Sequence, residues 1–433
     1  MANMKLKRRK VIVTVVGLGY VGLPLAVLAH NKGYKVFGVA KDKKKINQLN
    51  KGINILPDNA ELEKTIAKRP ILASTSFEAV KKSDVVIVCV PTPVDKFYNP
   101  DLGPVKSATK GVAKYLKKGQ LVIIESTINP GVCEEVVLPI LEATGKRVGK
   151  DFYLAHCPER INPGDPKWRI GNIPRCVGAI TKQGAQKAAK FYRSILDAEV
   201  RIMKSIKEAE ATKIVENSFR DVNIAFVNEL ALSFDKLGID LYDVLQGSAT
   251  KPFAFMAHFP SIGVGGHCIP VDPYYLIERA RLSGFDHKFL KLAREINNKM
   301  PYYCVKALQW NLNQLKMSMK GAHVGVLGLS YKANVGDIRE SPSEKVIEYL
   351  HELGADVHVF DPYFPERNTE KTLDGCMVKV DAIILATNHK EFLEKITPAY
   401  IKKHKVKVVI DGKNALDKNG IVNKNILYKG VGR

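Results

Sequence analysis

The sequence lacks the features of a membrane protein and of a disulfide-stabilised protein. Its longest apolar runs are strand-sized, as at residues 84–90, whereas a membrane-spanning helix needs about 20 apolar residues. The seven cysteines are an odd number without a CxxC pair, which argues against a disulfide framework. The basic residues 1–10 lead directly into a strand-like run instead of a signal-peptide apolar region. We therefore expect a cytoplasmic protein with Cys89, Cys157 and Cys176 as buried thiols.

Acidic residues are scarce relative to basic ones. The chain has 67 Lys and Arg against 44 Asp and Glu, a formal net charge of +23. Such a surplus is typical of nucleic-acid-binding proteins, but the lysines are spread along the chain without a basic block interleaved with aromatic residues. The pattern predicts a solvated lysine surface and no nucleic-acid partner, and this surface would also attract a polyanionic small substrate.

The chain is too long for one ordinary core. It has 433 residues, of which 45% are hydrophobic and 26% charged, and two or three domains are expected at this length. Changes in the pattern predict three segments, at residues 1–206, 207–316 and 317–433.

The first and last segments alternate strands with helical or loop stretches. The strand candidates are residues 11–16, 35–39, 84–90, 121–125 and 153–156, then 323–327, 356–360, 381–386 and 406–410. This alternation predicts an α/β fold class, with two Rossmann-like, doubly wound parallel sheets. The second unit is the smaller one.

The middle segment has no strand signal. Apolar residues recur at helical spacing over residues 207–237 without a proline, and Gly238 supplies a stop signal, so we expect one long helix. A Gly- and Pro-rich loop follows at residues 250–273, and then more helix to about Leu315. The long helix has apolar residues on more than one face, which predicts a homodimer joined through it. These residues are Ile214, Val215, Ala225, Phe226 and Leu232.

A GxGxxG motif at residues 17–22 follows the first strand and opens a helix. The first glycine permits a tight turn, the second lets the backbone approach a pyrophosphate, and the third lets the helix pack on the strand. Phosphates would then face N–H groups and the positive helix end. This context predicts dinucleotide binding, with a purely structural turn as the alternative. The expected contacts are Gly17, Gly19, Tyr20, Val21 and Gly22.

The second strand departs from the dinucleotide fingerprint. An acidic residue is expected at its end to bind the adenosine ribose, but the position falls at Ala40. Asp42, two residues on, is a poor substitute. Lys41 and the lysines at residues 43–45 could meet a 2′-phosphate, so we expect weak discrimination between NAD+ and NADP+.

The loop at residues 263–273, GVGGHCIPVDP, is the most informative segment. Flanking glycines let the backbone approach a ligand, and the thiol of Cys268 lies beside His267 and near Asp272. A thiolate with a lowered pKa is a strong nucleophile. A structural cysteine is the alternative. Adjacent residues lack the spacing of metal ligands, so no metal is expected.

Lys213 and Asn217 are four residues apart on the long helix and share one face. A lysine and an amide that project together could hold a developing oxyanion or an ordered water. A solvated helix face is the alternative.

Long motifs in a fixed order cover essentially the whole chain. They are VVGLGYVGLPLA, VPTP at 90–93, ESTINPG at 125–131, CPERINPGD at 157–165, EATKIVENSFRDVNIAFVNE, GVGGHCIPVDPYY and GLSYKANVGDIRESPS at 328–343. In these motifs the chain resembles the UDP-sugar 6-dehydrogenases of the UDP-glucose/GDP-mannose dehydrogenase superfamily. The resemblance implies oxidation of a UDP-sugar's C6 alcohol to a carboxylate with two NAD+, in the supply of cell-surface polysaccharides.

The residues of these motifs resemble one branch of this family. GGHCIPVDP, NPGD and ATKPFAF are similar to the enzymes acting on UDP-N-acetylhexosamines, and UDP-N-acetyl-D-mannosamine is the favoured substrate. UDP-N-acetylglucosamine and UDP-glucose remain alternatives. Two departures near the sugar pocket, FPSIG at residues 259–263 and His156 before CPER, could alter the preference.

The resemblance also implies roles for single residues. Cys268 would form a thiohemiacetal and then a thioester. Lys213 and Asn217 would stabilise the oxyanion. Asp272 and Thr127 would activate water, and Glu159 would act as acid and base. Cofactor contacts beyond the glycine motif would be Lys41, Pro91, Thr92, Thr127 and Arg339. The UDP-sugar would contact Glu159, Arg160, Lys213, Asn217, Lys251, Phe255, Gly265, Tyr331 and Lys332. The first segment would bind NAD and the last would bind UDP.

Two other classes of protein share parts of this pattern. A catalytically silent nucleotide-binding protein would be expected to lack the cysteine or the lysine. A one-step hydroxy-acid dehydrogenase would need neither Cys268 nor a second nucleotide fold.

Overall fold

The structure is a computed structural model that describes residues 11–56, 60–95, 98–161 and 167–433. The chain forms two compact units. The first comprises Met1–Glu216 and Tyr274–Phe285, and the second comprises Asn217–Pro273 and Asp286–Arg433. Each unit contains a mainly parallel sheet, which confirms the predicted fold class. The basic residues 1–10 and the NPGD motif at residues 162–165 lie outside the described residues.

The first unit contains an eight-stranded sheet in the order β3-β2-β1-β4-β5-β6-β7-β8. The strands are Ile12–Val16 (β1), Lys35–Val39 (β2), Leu72–Ser74 (β3), Val85–Val88 (β4), Gln120–Ile124 (β5), Phe152–His156 (β6), Arg175–Ala179 (β7) and Val200–Ile202 (β8). β1 to β6 run parallel, so their carboxyl ends meet at one edge. The sheet order reverses between β1 and β4, which is where open α/β sheets bind ligands.

Helices cover both faces of this sheet. They are Gly22–Asn31 (α1), Lys43–Asn50 (α2), Ala60–Lys68 (α3), Gly103–Ala113 (α4), Leu138–Glu142 (α5) and Lys182–Ile195 (α6). Alternate residues of one strand therefore enter two different cores. Ile87 of β4 packs into one core and Val86 and Val88 into the other. Burial on both faces explains why the central strands read as continuous apolar runs.

The middle of the chain is helical, as predicted. The helices are Ile206–Leu237 (α7), Leu241–Ala249 (α8), Asp272–Leu282 (α9) and Lys288–Gln314 (α10). The long helix α7 ends at Gly238, whose φ of +69° is a left-handed conformation that favours glycine. None of the helices that the structure describes is both long and apolar enough to cross a membrane.

The second unit contains a five-stranded parallel sheet in the order β10-β9-β11-β12-β13. Its strands are His323–Leu327 (β9), Asp356–Phe360 (β10), Ala382–Leu385 (β11), Val408–Asp411 (β12) and Leu427–Gly430 (β13). Its further helices are Pro342–Glu352 (α11), Leu373–Met377 (α12), Lys390–Lys395 (α13), Pro398–Lys403 (α14) and Lys418–Val422 (α15). This is the smaller α/β fold that the sequence predicts.

The structure contains four strands that the sequence did not predict. β3, β7, β8 and β13 are absent from the predicted set, and β7 pairs with β6 in the antiparallel direction, which is an exception to the predicted parallel sheet. Cys176 is only half-buried, unlike Cys89 and Cys157. The reason is the strand period of two, because Cys176 points away from the buried side chains of Arg175 and Val177.

Candidate active site

The glycine motif forms a tight turn between β1 and α1. Gly17 has a φ of +96°, and a Cβ there would lie 2.4 Å from the carbonyl oxygen of Cys89. A Cβ at Gly22 would lie 1.8 Å from the carbonyl oxygen of Gly17. At Gly19, by contrast, no atom of the described residues lies within 4 Å of such a Cβ. The first and third glycines thus allow close packing, and the second faces open space that a pyrophosphate can enter.

The start of α1 suits an anionic ligand. Val21 occupies the N-cap position and has no polar side chain to cap the helix. Tyr20 is exposed beside it. An N-terminus with such a cap can direct its N–H groups and its partial positive charge towards a phosphate. These features fit the dinucleotide cofactor that the motif predicts.

The end of β2 carries no side chain that could accept hydrogen bonds from a ribose. Ala40 directly follows the strand and is half-buried against the core. Asp42 caps α2, because its carboxylate accepts hydrogen bonds from the N–H groups of Lys44 and Lys45 at 2.8 and 3.1 Å. Lys41 is exposed between them. Asp42 is therefore already engaged in helix capping and does not replace the missing acid.

The ends of β4 and β5 are joined by a side-chain hydrogen bond. The hydroxyl of Ser126 donates to the carbonyl oxygen of Val90 at 2.8 Å, next to the exposed Pro91 and the half-buried Thr127. The carbonyl oxygen of Thr92 accepts from the hydroxyl of Tyr275 at 2.5 Å. The predicted cofactor residues Pro91, Thr92 and Thr127 thus lie in loops at the same sheet edge as the glycine turn.

The buried Glu210 anchors the loop that follows β5. Its carboxylate accepts the N–H groups of Gly131 and Cys133 at 2.5 and 2.8 Å. Burial raises the pKa of Glu210, and the two N–H donors counteract this rise. Glu210 begins the EATKIVEN motif, so one function of this motif is to hold the ESTINPG loop.

Glu159 lies in the segment that follows β6. It is buried, it accepts a hydrogen bond from the N–H of Ile161, and its Oε1 lies 3.6 Å from Nη2 of Arg175. The neighbouring Arg160 forms an ion pair with Glu216 and donates to the carbonyl oxygen of Pro174 at 3.0 Å. Glu159 is therefore oriented by its neighbours and not by solvent.

His156 is the last residue of β6 and is buried. Burial lowers its pKa from the usual 6.5 to about 3. Its Nδ1 has no hydrogen-bond partner within the described parts of the chain. The residue is therefore neutral at physiological pH.

Lys213 and Asn217 lie four residues apart in α7, as predicted. Lys213 is buried, so the alternative of a solvated helix face does not apply to it. Within the second unit, Nδ2 of Asn217 donates to Oδ2 of Asp272 at 2.5 Å. Asp272 is itself buried at the start of α9. Two of the predicted catalytic residues are thus in direct contact.

Cys268 lies in the turn that leads into α9 and is half-buried. Its carbonyl oxygen accepts the N–H groups of Val271 and Asp272 at 3.1 and 2.8 Å. The glycines before it allow close contact with the C-terminal fold: a Cβ at Gly265 would lie 2.6 Å from Cβ of Tyr331, and one at Gly266 would lie 2.8 Å from its ring. The two glycines that precede His267 and Cys268 therefore pack directly against Tyr331, a predicted substrate residue.

The loop of residues 328–334, which carries Tyr331 and Lys332, is held by a buried acid–histidine pair. Oδ2 of Asp361 accepts the N–H groups of Leu329 and Ser330 at 2.6 and 2.9 Å and faces Nε2 of His389 at 3.2 Å. Nδ1 of His389 accepts the N–H of Asn334 at 3.0 Å. Both ends of the loop are thus fixed. Because Nδ1 accepts, Nε2 carries the proton that is donated to Asp361.

The other predicted ligand residues of the second unit vary in their surroundings. Arg339 forms a bidentate ion pair with Asp337, whose pKa is lowered because this pairing outweighs burial. Lys251 is exposed, with its ammonium 4.8 Å from the ring centre of Phe253. Phe255 packs partly against the core. Across the described segments, His, Cys, Asp and Glu form no group of three that could hold a metal ion.

Sequence reasoning did not single out Arg175, Glu210, Asp361 or His389. Glu210 lies within a quoted motif and could have been recognised there. Arg175, Asp361 and His389 act through contacts between segments far apart in sequence. Asp361 does directly follow a predicted strand, and this position is a signal that could have identified it.

Known proteins match the chain over nearly its full length. Models of the UDP-glucose/GDP-mannose dehydrogenase family match residues 11–196 as the NAD binding domain, 207–299 as the central domain and 325–418 as the UDP binding domain. A UDP-N-acetyl-D-mannosamine dehydrogenase of Pyrococcus horikoshii is 35% identical over 424 residues, which cover 97% of this chain and 99% of the relative. A UDP-N-acetyl-D-glucosamine 6-dehydrogenase of Pseudomonas aeruginosa is 39% identical over 389 residues, covering 88% and 91%. The solved UDP-D-ManNAc dehydrogenase from Pyrococcus horikoshii has a TM-score of 0.89 at 36% identity, covering 97% and 99%.

Proposed function

The chain belongs to the UDP-glucose/GDP-mannose dehydrogenase family, and from this premise we propose that it oxidises a UDP-N-acetylhexosamine at C6. The proposed substrate is UDP-N-acetyl-D-mannosamine and the product is the corresponding uronate. The observation that carries this proposal is the half-buried Cys268, which lies one turn before the buried Asp272, the hydrogen-bond partner of Asn217. The named activity of the Pyrococcus horikoshii relative supports the choice of sugar.

The reaction needs a nucleophile because an aldehyde cannot give up a second hydride until something adds to it. NAD+, when bound, accepts a hydride in each oxidation step. Cys268 adds to the C6 aldehyde to form a thiohemiacetal, and loss of the second hydride leaves a thioester. Water then hydrolyses the thioester, which releases the carboxylate and restores the thiol. One water and two NAD+ are consumed for each sugar.

The remaining catalytic roles follow from charge and burial. Lys213, a buried cation, and Asn217, an amide donor, would stabilise the oxyanion. Asp272 would orient Asn217 and, with Thr127, activate the hydrolytic water. Glu159 would exchange protons with the C6 oxygen as acid and base.

The binding roles divide between the two nucleotide folds. The glycine turn at residues 17–22, together with Lys41, Pro91, Thr92, Thr127 and Arg339, would bind NAD+. The UDP-sugar would contact Arg160, Lys251, Phe255, Gly265, Tyr331 and Lys332 in addition to the catalytic residues. We retain residues 1–206, 207–316 and 317–433 as the proposed NAD-binding, central and UDP-binding domains.

The proposed assembly is a homodimer joined through α7. Ile214 and Ala225 are buried, but Val215, Phe219 and Phe226 on the other face are each at least half exposed. These three side chains recur at helical spacing and form an apolar stripe of the kind that marks a subunit interface.

The decisive experiment supplies NAD+ and a panel of UDP-sugars and follows NADH by absorbance. We expect the highest kcat/KM with UDP-N-acetyl-D-mannosamine and two NADH for each sugar. A preference for UDP-N-acetylglucosamine or UDP-glucose would reassign the substrate. One NADH for each substrate would indicate a one-step dehydrogenase, and no NADH with any sugar would indicate a catalytically silent binding protein.

A further inference from the structure

A buried arginine lies at the sheet edge where the parallel strands of the first unit end. Arg175 begins β7, and its side chain is fully buried. Because β7 is antiparallel to β6, its first residue lies at the edge where β6 ends. His156 pairs with Gly178, and the same register continued for three residues sets Arg175 opposite Glu159. The topology of the sheet therefore brings this cation to the proposed acid–base residue.

The guanidinium of Arg175 has few hydrogen-bond partners for a buried group. Its Nη1 donates to the carbonyl oxygen of Pro158 at 3.2 Å, and its Nη2 lies 3.6 Å from Oε1 of Glu159. Nε and Nη2 have no hydrogen-bond acceptor in the described portion of the chain. A buried cation normally has its donors satisfied. At this distance the contact with Glu159 is electrostatic. A small movement of the Glu159 side chain would bring it within hydrogen-bond distance of Nη2.

A second buried carboxyl shares this cation. Glu125 directly follows β5 and receives hydrogen bonds from the hydroxyl of Tyr192 and from the thiol of Cys89 at 3.7 Å. Burial raises the pKa of Glu125, and the attraction of Arg175 opposes this rise. For Arg175 itself, burial lowers the pKa, but Glu125 and Glu159 outweigh burial and raise it. Two acidic groups thus compete for one positive charge.

The other titratable groups around the cluster are neutral. Burial raises the pKa of Cys89, Cys157 and Tyr192 and lowers that of His156. The charge of the cluster is therefore set by Glu125, Glu159 and Arg175. With one buried cation, the arrangement of lowest charge has one carboxylate and one protonated carboxyl group.

We propose that Arg175 is a positioning residue whose positive charge holds the side chain of Glu159 in a fixed orientation, while Glu125 carries the proton. This inference rests on the acid–base role proposed for Glu159. Glu125 suits the protonated state because it is more deeply buried, whereas Glu159 lies directly opposite the guanidinium. Glu159 would then be ready to accept the first proton from the C6 alcohol. A buried arginine with a purely structural role would not couple to the pH dependence of turnover.

The first test compares the pH profile of kcat/KM for the UDP-sugar in wild type and two full-length variants. In Arg175→Met the acidic limb should move up by about one pH unit or more, because loss of a nearby cation favours protonated carboxyls. Its kcat at neutral pH should fall by about tenfold or more, and its KM for NAD+ should change little. Arg175→Lys keeps the charge, so it should restore the acidic limb to the wild-type pH with an intermediate kcat.

Arg147→Met is the matched control. Arg147 is an exposed arginine of the same unit that pairs with Glu142, so its pH profile should match that of wild type. If Arg175→Met folds and its profile differs from wild type only by a constant factor, the proposal is overturned.

A second variant keeps the proposal testable if Arg175→Met does not fold. Glu125→Gln preserves shape and can still accept from Tyr192, but it removes the carboxyl that competes for Arg175. Because Glu125 carries the proton in the proposed arrangement, this change replaces one neutral group by another, and the acidic limb should stay at the wild-type pH. An acidic limb that moves to lower pH in Glu125→Gln would mean that Glu125 is ionised in wild type and would contradict the proposed arrangement.

Glu159→Gln separates this inference from the function on which it rests. If Glu159→Gln keeps the wild-type kcat and pH profile, the acid–base role itself is wrong. If Glu159→Gln removes the acidic limb but Arg175→Met does not shift it, only the role of Arg175 fails. Circular dichroism and NAD+ binding, measured on every variant, establish that the fold is retained.

Discussion

We predict that Asp361, which is paired with His389, stabilises the loop of residues 328–334. Burial alone would raise the pKa of Asp361. Hydrogen bonds from His389 and from the N–H groups of Ser330 and Tyr363 outweigh burial and lower this pKa from 3.8 to about 2. Each unit of pKa corresponds to about 1.4 kcal/mol, so the ionised form contributes about 2 kcal/mol to stability. Because the folded pKa is depressed, this stability is complete above about pH 4 and is lost as the pH falls towards 2.

Asp361→Asn removes this charge and also leaves a donor without an acceptor. The carboxylate accepts from Leu329 and Ser330 on Oδ2 and from Tyr363 on Oδ1. An asparagine amide places an NH₂ group against one of these donors, and an unpaired buried donor costs about 1–3 kcal/mol. The total loss is about 3 kcal/mol or more at neutral pH, and it falls on the loop and not on the first unit.

Hydrogen exchange measured by mass spectrometry tests this predicted loss of loop stability directly. In Asp361→Asn, peptides that cover residues 329–334 should exchange faster, and the KM for the UDP-sugar should rise by about tenfold or more while the KM for NAD+ is unchanged. Asp356→Asn is the matched control, because Asp356 begins β10, the strand that Asp361 directly follows, but its side chain is 72% exposed. Unchanged exchange together with a KM for the UDP-sugar within about twofold of wild type would refute the reasoning.

Four further predictions concern single positions. Cys268→Ala should lose turnover by several orders of magnitude yet bind UDP-sugar, and near-normal NADH production would disprove the covalent step. Ala40→Asp should lower the KM for NAD+ and weaken any NADP+ activity; unchanged constants would mean that Ala40 does not face the ribose. Phe226→Asp should yield a monomer by light scattering, and a dimer of unchanged affinity would place the interface elsewhere. His156→Leu should lose less stability as the pH falls from about 6.5 to 3, because a buried histidine with a lowered folded pKa costs stability progressively over this range. Equal acid sensitivity of both proteins would contradict this expectation.

The overall architecture could be predicted because local sequence determines it. Residues 35–39, 323–327 and 356–360 are strands with the predicted bounds. The helix predicted at residues 207–237 spans Ile206–Leu237. In each case the element is long or apolar enough for its own periodicity to identify it. The glycine turn could also be predicted, because only glycine fits positions where a Cβ would collide with backbone.

The sequence proposes candidate residues for the site but not the contacts that support them. The motifs name Cys268, Asp272 and Asn217, and the family resemblance implies that these residues share a site. The hydrogen bond between Asn217 and Asp272 joins residues that are 55 positions apart, and it depends on how α7 and α9 are placed. No local pattern encodes such a distance.

By itself, the sequence determined which residues are candidates for the chemistry and which segments form the two nucleotide folds. Only the tertiary structure decided which side chains from distant segments hold those residues in place. The short strand β7 has too little periodicity to be recognised, and its direction is set by pairing with β6. That direction places Arg175 opposite Glu159, just as β10 places Asp361 beneath the loop of residues 328–334. The physical reason is that buried charges are stabilised by partners brought from distant segments, and such partners come together only when the chain folds.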